Sequence, residues 1–451
     1  MVRTPRIVVA GTHSGVGKTT FASGLMAALA HKGLRVAPFK VGPDFIDPSY
    51  HALAARRPGR NLDAFLSGEA LIPPLFAHGS RGADVAIIEG VMGLFDGKGG
   101  AGEYASTAHV AKVLGAPVVL VVDASAMARS AAAIVHGYAT FDPALDLAGV
   151  ILNRVGSTAH ERMLREAVAR LNIPVLGVLR RDARVATPDR HLGLVPVAER
   201  RDEARAALDA VGGVISRSCD LEGILRLARS ADPLSTEPWD PEAPAAGPPA
   251  RVAVAAGPSF SFLYEENLEL LRGAGAEVTL FDPTSDEDLP EGTEALYLGG
   301  GFPETYAEAL AANGPLKERV RRFAAEGRPV VAECGGLLYL ARELDGYPMC
   351  GVLGARARMT GRLTLGYREA RALTTSPLME EGELARAHEF HYSVVEPGAG
   401  ASPAWGLGGR GVEGFVSGGV HASYLHTHWA ATPQFPRRLA RAASRSAGVR
   451  A

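Results

Sequence analysis

The feature that most restricts the fold of this chain is a glycine-rich run placed between an apolar segment and a helical one. The run GTHSGVGKTT occupies residues 11–20, directly after the apolar residues 7–10. In such a loop the backbone N–H groups surround phosphate oxygens, a lysine reaches the outer phosphates and a hydroxyl binds Mg²⁺. The usual pattern has glycine six residues before the lysine; here Thr12 holds that place, and Gly11 stands one place earlier. We predict a nucleotide phosphate site formed by Gly15, Val16, Gly17, Lys18, Thr19 and Thr20.

Short apolar runs separated by helix-length segments recur through both halves of the chain. They are typical of buried parallel strands in a doubly wound α/β sheet, and they occupy residues 7–10, 36–39, 85–88, 118–122, 150–152, 252–255, 278–281, 295–298 and 330–332. Six prolines within residues 231–250 interrupt this alternation and indicate an extended linker. We therefore predict two doubly wound α/β domains, at 1–235 and 251–451, joined by a Pro-rich linker at 236–250. We also expect antiparallel strands within residues 351–413.

Charge, hydropathy and cysteine content exclude several classes of protein. The formal net charge is -2, which gives no reason to expect binding to nucleic acid. No apolar run approaches the roughly 18 residues needed to span a bilayer, so we expect no membrane association. The chain has 3 cysteines, too few for a disulfide framework, and this fits a reducing cytoplasm. The sequence leaves the oligomeric state open, with a homodimer as one option.

Carboxylates follow the predicted strands on the side where the phosphate loop lies. Asp44, Glu89 and Asp96 come after the second and third strong strands. An acidic side chain at the carboxyl edge of a parallel strand, beside a phosphate loop, is well placed to bind Mg²⁺. We predict a metal site from Thr19, Asp44 and Glu89. Asp123 is a weaker candidate, and for Asn153 contact with the adenine base is left open.

The second half contains a cysteine between a predicted strand and a predicted helix, in AECGGLLYL at residues 332–340. A nucleophile on so sharp a turn needs small neighbours, because its backbone is strained and the substrate comes close. We predict Cys334 as the nucleophile, with its thiol pKa lowered by the following helix. The backbone N–H groups of Gly335 and Gly301 form the expected oxyanion hole, and His426 is the expected base. Cys219 and Cys350 are expected to be inert buried thiols.

Two neighbouring motifs remain open at this stage. His428 lies two residues after His426, so the two side chains share a face where the chain is extended. The run AHEFHY at residues 387–392 is dense in polar and aromatic groups and is a candidate for ligand contact.

A phosphate loop and a thiol hydrolase site in one chain indicate a coupled amide synthesis. In that reaction glutamine loses ammonia at Cys334, ATP converts a carboxylate into an acyl phosphate, and ammonia displaces the phosphate. Ammonium at neutral pH is a poor nucleophile, so release of NH₃ into a sheltered site makes chemical sense of the pairing.

Several motifs together resemble the a,c-diamide synthases of corrinoid biosynthesis. They are, in order, GTHSGVGKTT, FKVGPDFIDPSYH, IEGVMGLFDG, YLGGGFPE, ECGGLLYL, LGYRE, HEFHYS and HASYLHTH. The resemblance extends over residues 6 to 433. It implies a P-loop NTPase-like domain similar to dethiobiotin synthetase, followed by a class I-like glutamine amidotransferase domain. It also implies amidation of two carboxylates of hydrogenobyrinate or cobyrinate, with L-glutamine, ATP and Mg²⁺.

By the same resemblance, residues of this chain take defined roles. Lys18 and Thr19 bind phosphate and Mg²⁺. Asp44 and Glu89 stabilise the phosphorylated intermediate, and Asp96 lies near the substrate. Cys334 is the nucleophile that His426 activates. Class I amidotransferases have glutamate two places after this histidine, whereas this chain has His428; we therefore expect a Cys–His dyad.

Three alternatives differ in substrate or class. Whole-chain likeness favours the cobalt-free hydrogenobyrinate over cobyrinate, although no residue is identified that senses cobalt. Amidation of another tetrapyrrole, such as nickel-sirohydrochlorin, is the second option. A nucleotide-switch ATPase of the DNA-partitioning type is a remote third, which the near-neutral charge and the second domain disfavour.

Overall fold

A computed structural model describes residues 1–181, 201–242 and 249–448. These residues form two compact units, Met1–Asp240 and Pro241–Ala451. The centre of the predicted linker lies outside the described residues. Its first part belongs to the first unit, where the Trp239 backbone N–H donates to Pro74 O at 2.9 Å and the indole lies 5.1 Å from the ring of His78.

The first unit is an α/β sandwich around a parallel sheet. Its described strands are β1 (Arg6–Gly11), β2 (Val36–Val41), β3 (Arg60–Leu62), β4 (Val85–Glu89), β5 (Val118–Asp123), β6 (Leu147–Val155) and β7 (Val175–Arg180). Its described helices are α1 (Lys18–His31), α2 (Ile46–Ala55), α3 (Ile72–Gly79), α4 (Thr107–Val113), α5 (Ser130–Phe141), α6 (Thr158–Val168), α7 (Arg201–Ser218) and α8 (Leu221–Arg229).

The strand order within the described part of this sheet is β3-β2-β4-β1-β5-β6-β7, and every pairing is parallel. The central strands are buried along their whole length, which explains their continuous apolar runs. The chain leaves β1 towards β2 on one side and later crosses to β5 on the other. Ligands of open α/β sheets bind at such a switch point, outside the carboxyl ends of the strands.

The second unit contains two sheets. Its described strands are β8 (Ala250–Ala255), β9 (Ala276–Phe281), β10 (Ala295–Leu298), β11 (Val330–Glu333), β12 (Glu343–Leu344), β13 (Tyr347–Pro348), β14 (Arg356–Ala372), β15 (Leu384–Glu396), β16 (Trp405–Gly406), β17 (Val412–Glu413), β18 (Phe415–Ser417), β19 (Val420–Ser423) and β20 (His426–Thr427). Its described helices are α9 (Glu265–Gly273), α10 (Ala307–Ala312), α11 (Gly314–Ala325), α12 (Gly335–Leu340) and α13 (Gln434–Gly448).

The first sheet of this unit has the described order β18-β19-β11-β10-β8-β9 and is parallel except for the hairpin strand β18. The second contains the long antiparallel pair β14 and β15, which confirms the antiparallel strands expected within residues 351–413. Strand β20 joins β15 in an antiparallel pairing, through His388 opposite His426. The two doubly wound α/β domains expected from the sequence are confirmed.

In the part of the chain that the structure describes, no helix combines the length and the apolar character that crossing a bilayer requires.

Candidate active sites of the two units

The phosphate loop between β1 and α1 depends on glycine at three positions. Gly15 and Gly17 have φ of 81° and 95°, a region that side chains rarely adopt. A Cβ on Gly17 would lie 2.3 Å from Asn153 Nδ2, and one on Gly11 would lie 2.6 Å from Val16 Cγ2. Gly11 thus provides the space beneath the loop, which accounts for a glycine one place earlier than the usual pattern.

The side of the loop is held by two consecutive residues of β6. Asn153 Nδ2 donates to Val16 O at 2.8 Å, and its Oδ1 accepts from the Arg154 backbone N–H at 2.8 Å. The Arg154 guanidinium donates to Gly15 O at 2.9 Å and pairs with Asp123 at 2.5 Å. Both ends of the Asn153 amide are therefore engaged with protein, and Asp123 neutralises the arginine that braces the loop.

A buried lysine that sequence reasoning did not single out lies beside the loop. Lys40 Nζ is 2.5 Å from Asp47 Oδ2, 2.9 Å from Glu89 Oε1 and 4.0 Å from Asp44 Oδ2. It also donates to Gly90 O at 3.2 Å. The only signal in the sequence was the spacing of Asp44 and Asp47, three residues apart at the start of α2, which brings both carboxylates to the carboxyl end of β2.

Glu89 is the centre of this cluster. Its Oε1 accepts from Thr19 Oγ1 at 2.7 Å as well as from Lys40, and its Oε2 lies 2.6 Å from His51 Nε2. Glu89 and His51 are both fully buried. Thr19 Oγ1 also lies 3.3 Å from Asp47 Oδ2. Oxygens of Thr19, Asp47 and Glu89, which are ligands suited to Mg²⁺, therefore converge beside the loop.

The other two predicted carboxylates have different surroundings. Asp44 Oδ1 accepts from the Ile46 backbone N–H at 2.7 Å, at the start of α2, which leaves Oδ2 on the side of Lys40. Asp96 is exposed, and its Oδ2 accepts from the Gly93 backbone N–H at 2.9 Å. Within the described ranges no group of three or more His, Cys, Asp or Glu side chains is arranged to hold a metal ion. A cation here would need oxygens from Thr19 or from a ligand.

The charges of this cluster are mutually dependent. Burial, followed by the nearby Lys40, lowers the pKa of Lys18 to about 8. Burial also disfavours charge on Lys40, but Asp47, Glu89 and Asp44 outweigh it and raise its pKa. Burial raises the pKa of Glu89, but the nearby Lys40 and His51 lower it by more, so the pKa lies below its usual value. Burial and the neighbouring Asp44 raise the pKa of Asp47. Lys40 therefore stays protonated and Glu89 ionised.

The second site is built on the turn from β11 into α12. Cys334 has φ of 48°, is 4% exposed and donates its backbone N–H to Ser423 O at 2.7 Å. Its Sγ lies 3.7 Å from Phe390 O on β15. A Cβ on Gly336 would lie 2.3 Å from Leu298 O, so the tight turn requires glycine here. This is the strained strand-to-helix geometry expected of an exposed nucleophile, although here the thiol is covered.

The expected lowering of the thiol pKa is wrong for this structure. Burial raises the pKa of Cys334, and the carboxylate of Glu304 raises it further, whereas the Gly335 N–H opposes the rise. Helix α12 is only six residues long, Gly335–Leu340, and its dipole does not overcome the burial. Burial, with smaller contributions from His388 and His391, lowers the pKa of His426 to about 3. Both partners are therefore neutral near pH 7.

The glycine loop after β10 packs against both predicted partners. A Cβ on Gly300 would lie 2.3 Å from His426 Cε1, and one on Gly335 would lie 3.0 Å from Gly301 N. The loop is fixed by paired backbone hydrogen bonds between Gly300 and Phe262, at 3.0 and 3.3 Å. The loop therefore contacts His426 through Gly300 and the turn that follows Cys334 through Gly301; the dyad and the oxyanion hole stay predictions.

A polar cluster on β14 and β15 borders the thiol. Arg368 is paired with Glu389 at 2.5 Å, and His391 Nε2 lies 3.0 Å from the other oxygen of the same carboxylate. The imidazole of His391 stacks on Tyr424 with ring centroids 3.7 Å apart. From the HEFHYS motif, Glu389 and His391 thus belong to this cluster. Arg368 was not predicted from the sequence.

His428 has a separate environment. Its Nε2 lies 3.5 Å from Glu266 Oε2, and both side chains are 1% exposed. Its ring packs against Tyr264, with centroids 4.8 Å apart.

Comparison with known proteins identifies both halves and the whole chain. Residues 7–195 match the CobQ/CobB/MinD/ParA nucleotide binding domain, and residues 251–434 match the CobB/CobQ-like glutamine amidotransferase domain. A hydrogenobyrinate a,c-diamide synthase of Streptomyces coelicolor is 57% identical, with 96% of each chain covered. One of Thermobifida fusca is 51% identical over 98% of this chain and 97% of its own. A cobyrinate a,c-diamide synthase of Syntrophotalea carbinolica is 45% identical over 95% and 96%.

Proposed function

The chain belongs to the family of hydrogenobyrinate and cobyrinate a,c-diamide synthases, and from this premise we propose that it amidates the a and c carboxylates of a corrin ring with ATP and glutamine. The observation that carries the proposal is the strained turn at Cys334, together with a glycine loop that contacts both this turn and His426, in a chain that also has a nucleotide phosphate loop.

The glutamine reaction begins from the neutral pair. Cys334 Sγ attacks the side-chain amide carbon of glutamine while its proton passes to His426, so the thiolate forms only as it reacts. The backbone N–H groups of Gly301 and Gly335 stabilise the oxyanion. The proton on His426 goes to the departing amine, which leaves as NH₃. Water then cleaves the thioester and releases glutamate.

Glutamine is a zwitterion at its α-carbon, and the polar cluster beside the thiol offers complementary charges. We assign the α-carboxylate to Arg368 and the α-ammonium to Glu389, which are 7% and 13% exposed along their side chains. Burial of these two charges strengthens their interaction with a ligand. Their existing pairing keeps the site neutral before glutamine arrives.

The nucleotide reaction takes place on the first unit. Lys18 and the N–H groups of residues 15–20 hold the ATP phosphates, and a carboxylate of the substrate attacks the γ-phosphorus with ADP as the leaving group. Ammonia then attacks the acyl carbon, and phosphate leaves. Lys40 and Lys18 neutralise the charge of the phosphorylated intermediate, which Asp44 and Glu89 help to stabilise, and Asp96 faces the substrate. Asp47 and Glu89 fix Lys40. Mg²⁺ would be held by Thr19, Glu89 and Asp47, whose oxygens converge beside the loop, and would supply further charge neutralisation. Asp44, the other predicted ligand, lies on the side of Lys40.

Hydrogenobyrinate is the substrate we favour over cobyrinate. The named hydrogenobyrinate relatives are 51% to 57% identical to this chain, and the cobyrinate relatives 42% to 45%. Domain limits of 1–235 and 251–451, a cytoplasmic location and a homodimer remain predictions.

The experiment offers the purified protein ATP, Mg²⁺ and glutamine with hydrogenobyrinate, cobyrinate or nickel-sirohydrochlorin, and follows product mass. We expect two OH-to-NH₂ exchanges on hydrogenobyrinate with stoichiometric ADP. Amidation of cobyrinate alone would overturn the substrate assignment, and amidation of nickel-sirohydrochlorin alone would favour the tetrapyrrole alternative. Absence of ATP cleavage with every macrocycle would overturn the function.

A further inference from the structure

The dyad leaves one question of geometry, because His426 lies on a very short strand. Strand β20 contains only His426 and Thr427, and its pairing with β15 consists of two residue pairs. A slip of one residue would turn the imidazole to the opposite face. Two pairs are too few to fix this register alone, so other contacts must hold the strand.

The residue before the nucleophile makes those contacts. Glu333 is 3% exposed at the end of β11. Its Oε1 accepts from Thr427 Oγ1 at 2.7 Å and from the Thr427 backbone N–H at 3.2 Å. Its Oε2 accepts from Tyr297 Oη at 3.0 Å. One carboxylate thus joins the residue that precedes the thiol to the residue that follows the imidazole.

The same network closes on itself through Asn267. Asn267 Nδ2 donates to Thr427 O at 2.9 Å and to Tyr297 Oη at 3.4 Å. Its Oδ1 accepts from the Trp429 backbone N–H at 2.8 Å, and Trp429 Nε1 donates to Thr427 Oγ1 at 2.9 Å. Each donor has an acceptor in this arrangement, and a fully satisfied buried network is rigid.

Side chains alternate between the two faces of an extended strand, so hydrogen bonds that hold the Thr427 side chain on one face place the His426 side chain on the other. We propose that Glu333 is a positioning residue for His426: through Thr427 it fixes the register of β20 and so holds the imidazole against the thiol. It serves the orienting function that the glutamate two places after the histidine has in class I amidotransferases, a place occupied here by His428. This inference rests on the proposed function, since it needs Cys334 and His426 to hydrolyse glutamine.

The test compares Glu333→Ala, Glu333→Gln and Thr427→Val in the full-length chain. Glutamate formation from glutamine is measured with ATP, Mg²⁺ and hydrogenobyrinate, and ammonium-supported amidation is measured in the same preparations. A displacement of the base by about 1 Å costs about 100-fold in rate. We expect Glu333→Ala and Thr427→Val to lower kcat by about that factor with the KM for glutamine unchanged, and ammonium-supported amidation to be retained.

Glu333→Gln keeps an oxygen that accepts from both Thr427 donors, so we expect it to restore kcat to within about tenfold of the wild-type value. The matched control is Thr293→Val. Thr293 is a buried threonine that precedes the first residue of β10, and its hydroxyl donates to Pro290 O. Removal of this hydroxyl should leave kcat unchanged. A merely structural role would lower thermal stability, or change KM, without this loss of kcat.

Unchanged kcat in both Glu333→Ala and Thr427→Val would overturn the inference, as would a loss that Glu333→Gln fails to repair. Where Glu333→Ala does not fold, Thr427→Val decides alone, because it removes the hydroxyl and leaves the carboxylate in place. Failure of the wild-type chain to form glutamate is a different result, which rejects the proposed function itself.

Discussion

At the scale of single residues, the Cys334 thiol and the His426 imidazole, which we propose as the catalytic dyad, are both neutral before substrate arrives. Burial disfavours both the thiolate and the imidazolium. A pre-formed ion pair would require desolvation of two charges, whereas a neutral pair transfers its proton as the thiol attacks. The base is then ready at any pH at which the imidazole is unprotonated.

This arrangement predicts the acid side of the pH profile. The pKa of His426 is lowered by burial to about 3, so the imidazole stays unprotonated when the pH falls from about 8 to about 5, where an ordinary histidine would become charged. We expect kcat for glutamate formation to show no loss centred near the usual histidine pKa. Ammonium-supported amidation over the same range, divided by the fraction of free NH₃ present at each pH, corrects for changes at the nucleotide site. A tenfold loss per pH unit below about 6.5 would contradict the assignment.

Replacing the nucleophile separates the two reactions. Cys334→Ala removes the only sulfur that we place on the strained turn, and we expect glutamine-dependent amidation to fall at least about 1,000-fold while ammonium still supports synthesis. Cys350→Ala is the matched control, because that thiol is equally buried and has no assigned role. Full glutamine-dependent activity in Cys334→Ala would reject the assignment.

The sequence predicted these residues where chemistry is local and missed those where contacts are long-range. Cys334 and Lys18 lie in motifs whose spacing alone indicates the chemistry. Lys40 lies inside the FKVGPDFIDPSYH motif, but the Glu89 that it contacts is 49 residues away in the sequence. Glu333 meets Thr427 across 94 residues. Only the pairing of strands brings such residues together, and their spacing in the sequence does not encode it.

At the scale of elements, the glycine loop after β10 sets the space available to His426. Gly300→Ala would place a Cβ 2.3 Å from His426 Cε1, so the imidazole must move. We expect kcat for glutamate formation to fall about 100-fold with ammonium-supported amidation retained. Gly314→Ala is the control, since a Cβ there meets nothing within 4 Å. Equal activity in both variants would show that the loop does not confine the base.

The phosphate loop depends similarly on its support from β6. Asn153→Ala removes the hydrogen bond to Val16 O, and loss of one such bond should raise the KM for ATP roughly five- to tenfold. If Asn153 acts on the loop, the KM for GTP rises by the same factor. If it reads the adenine base, only ATP is affected. The KM for glutamine serves as the internal control, and an unchanged KM for both nucleotides would exclude both roles.

At the scale of the whole molecule, the alternation of apolar runs predicted the order and type of the main strands. Each of the nine predicted runs lies within a parallel strand. The runs are apolar on both faces because helices cover both faces of such a sheet. Short strands such as β20 have no comparable signal, since two residues carry no periodicity. Their position is determined by tertiary contacts.

The two sites of one chain can be tested as separate reactions, because the ammonia that one releases is consumed by the other. Lys18→Ala removes the ammonium group that reaches the phosphates, so we expect amidation to be lost with glutamine and with ammonium alike. Cleavage of glutamine should survive, because Lys18 and Cys334 lie in different compact units. Lys32→Ala is the matched control: this lysine ends the same helical segment, is exposed and pairs with Glu222 at 2.9 Å. Glutamate, ADP and amide are measured together in each variant. Amide formation by Lys18→Ala at the wild-type rate would show that phosphate activation does not depend on this loop, and would remove the link between ATP and the amide product.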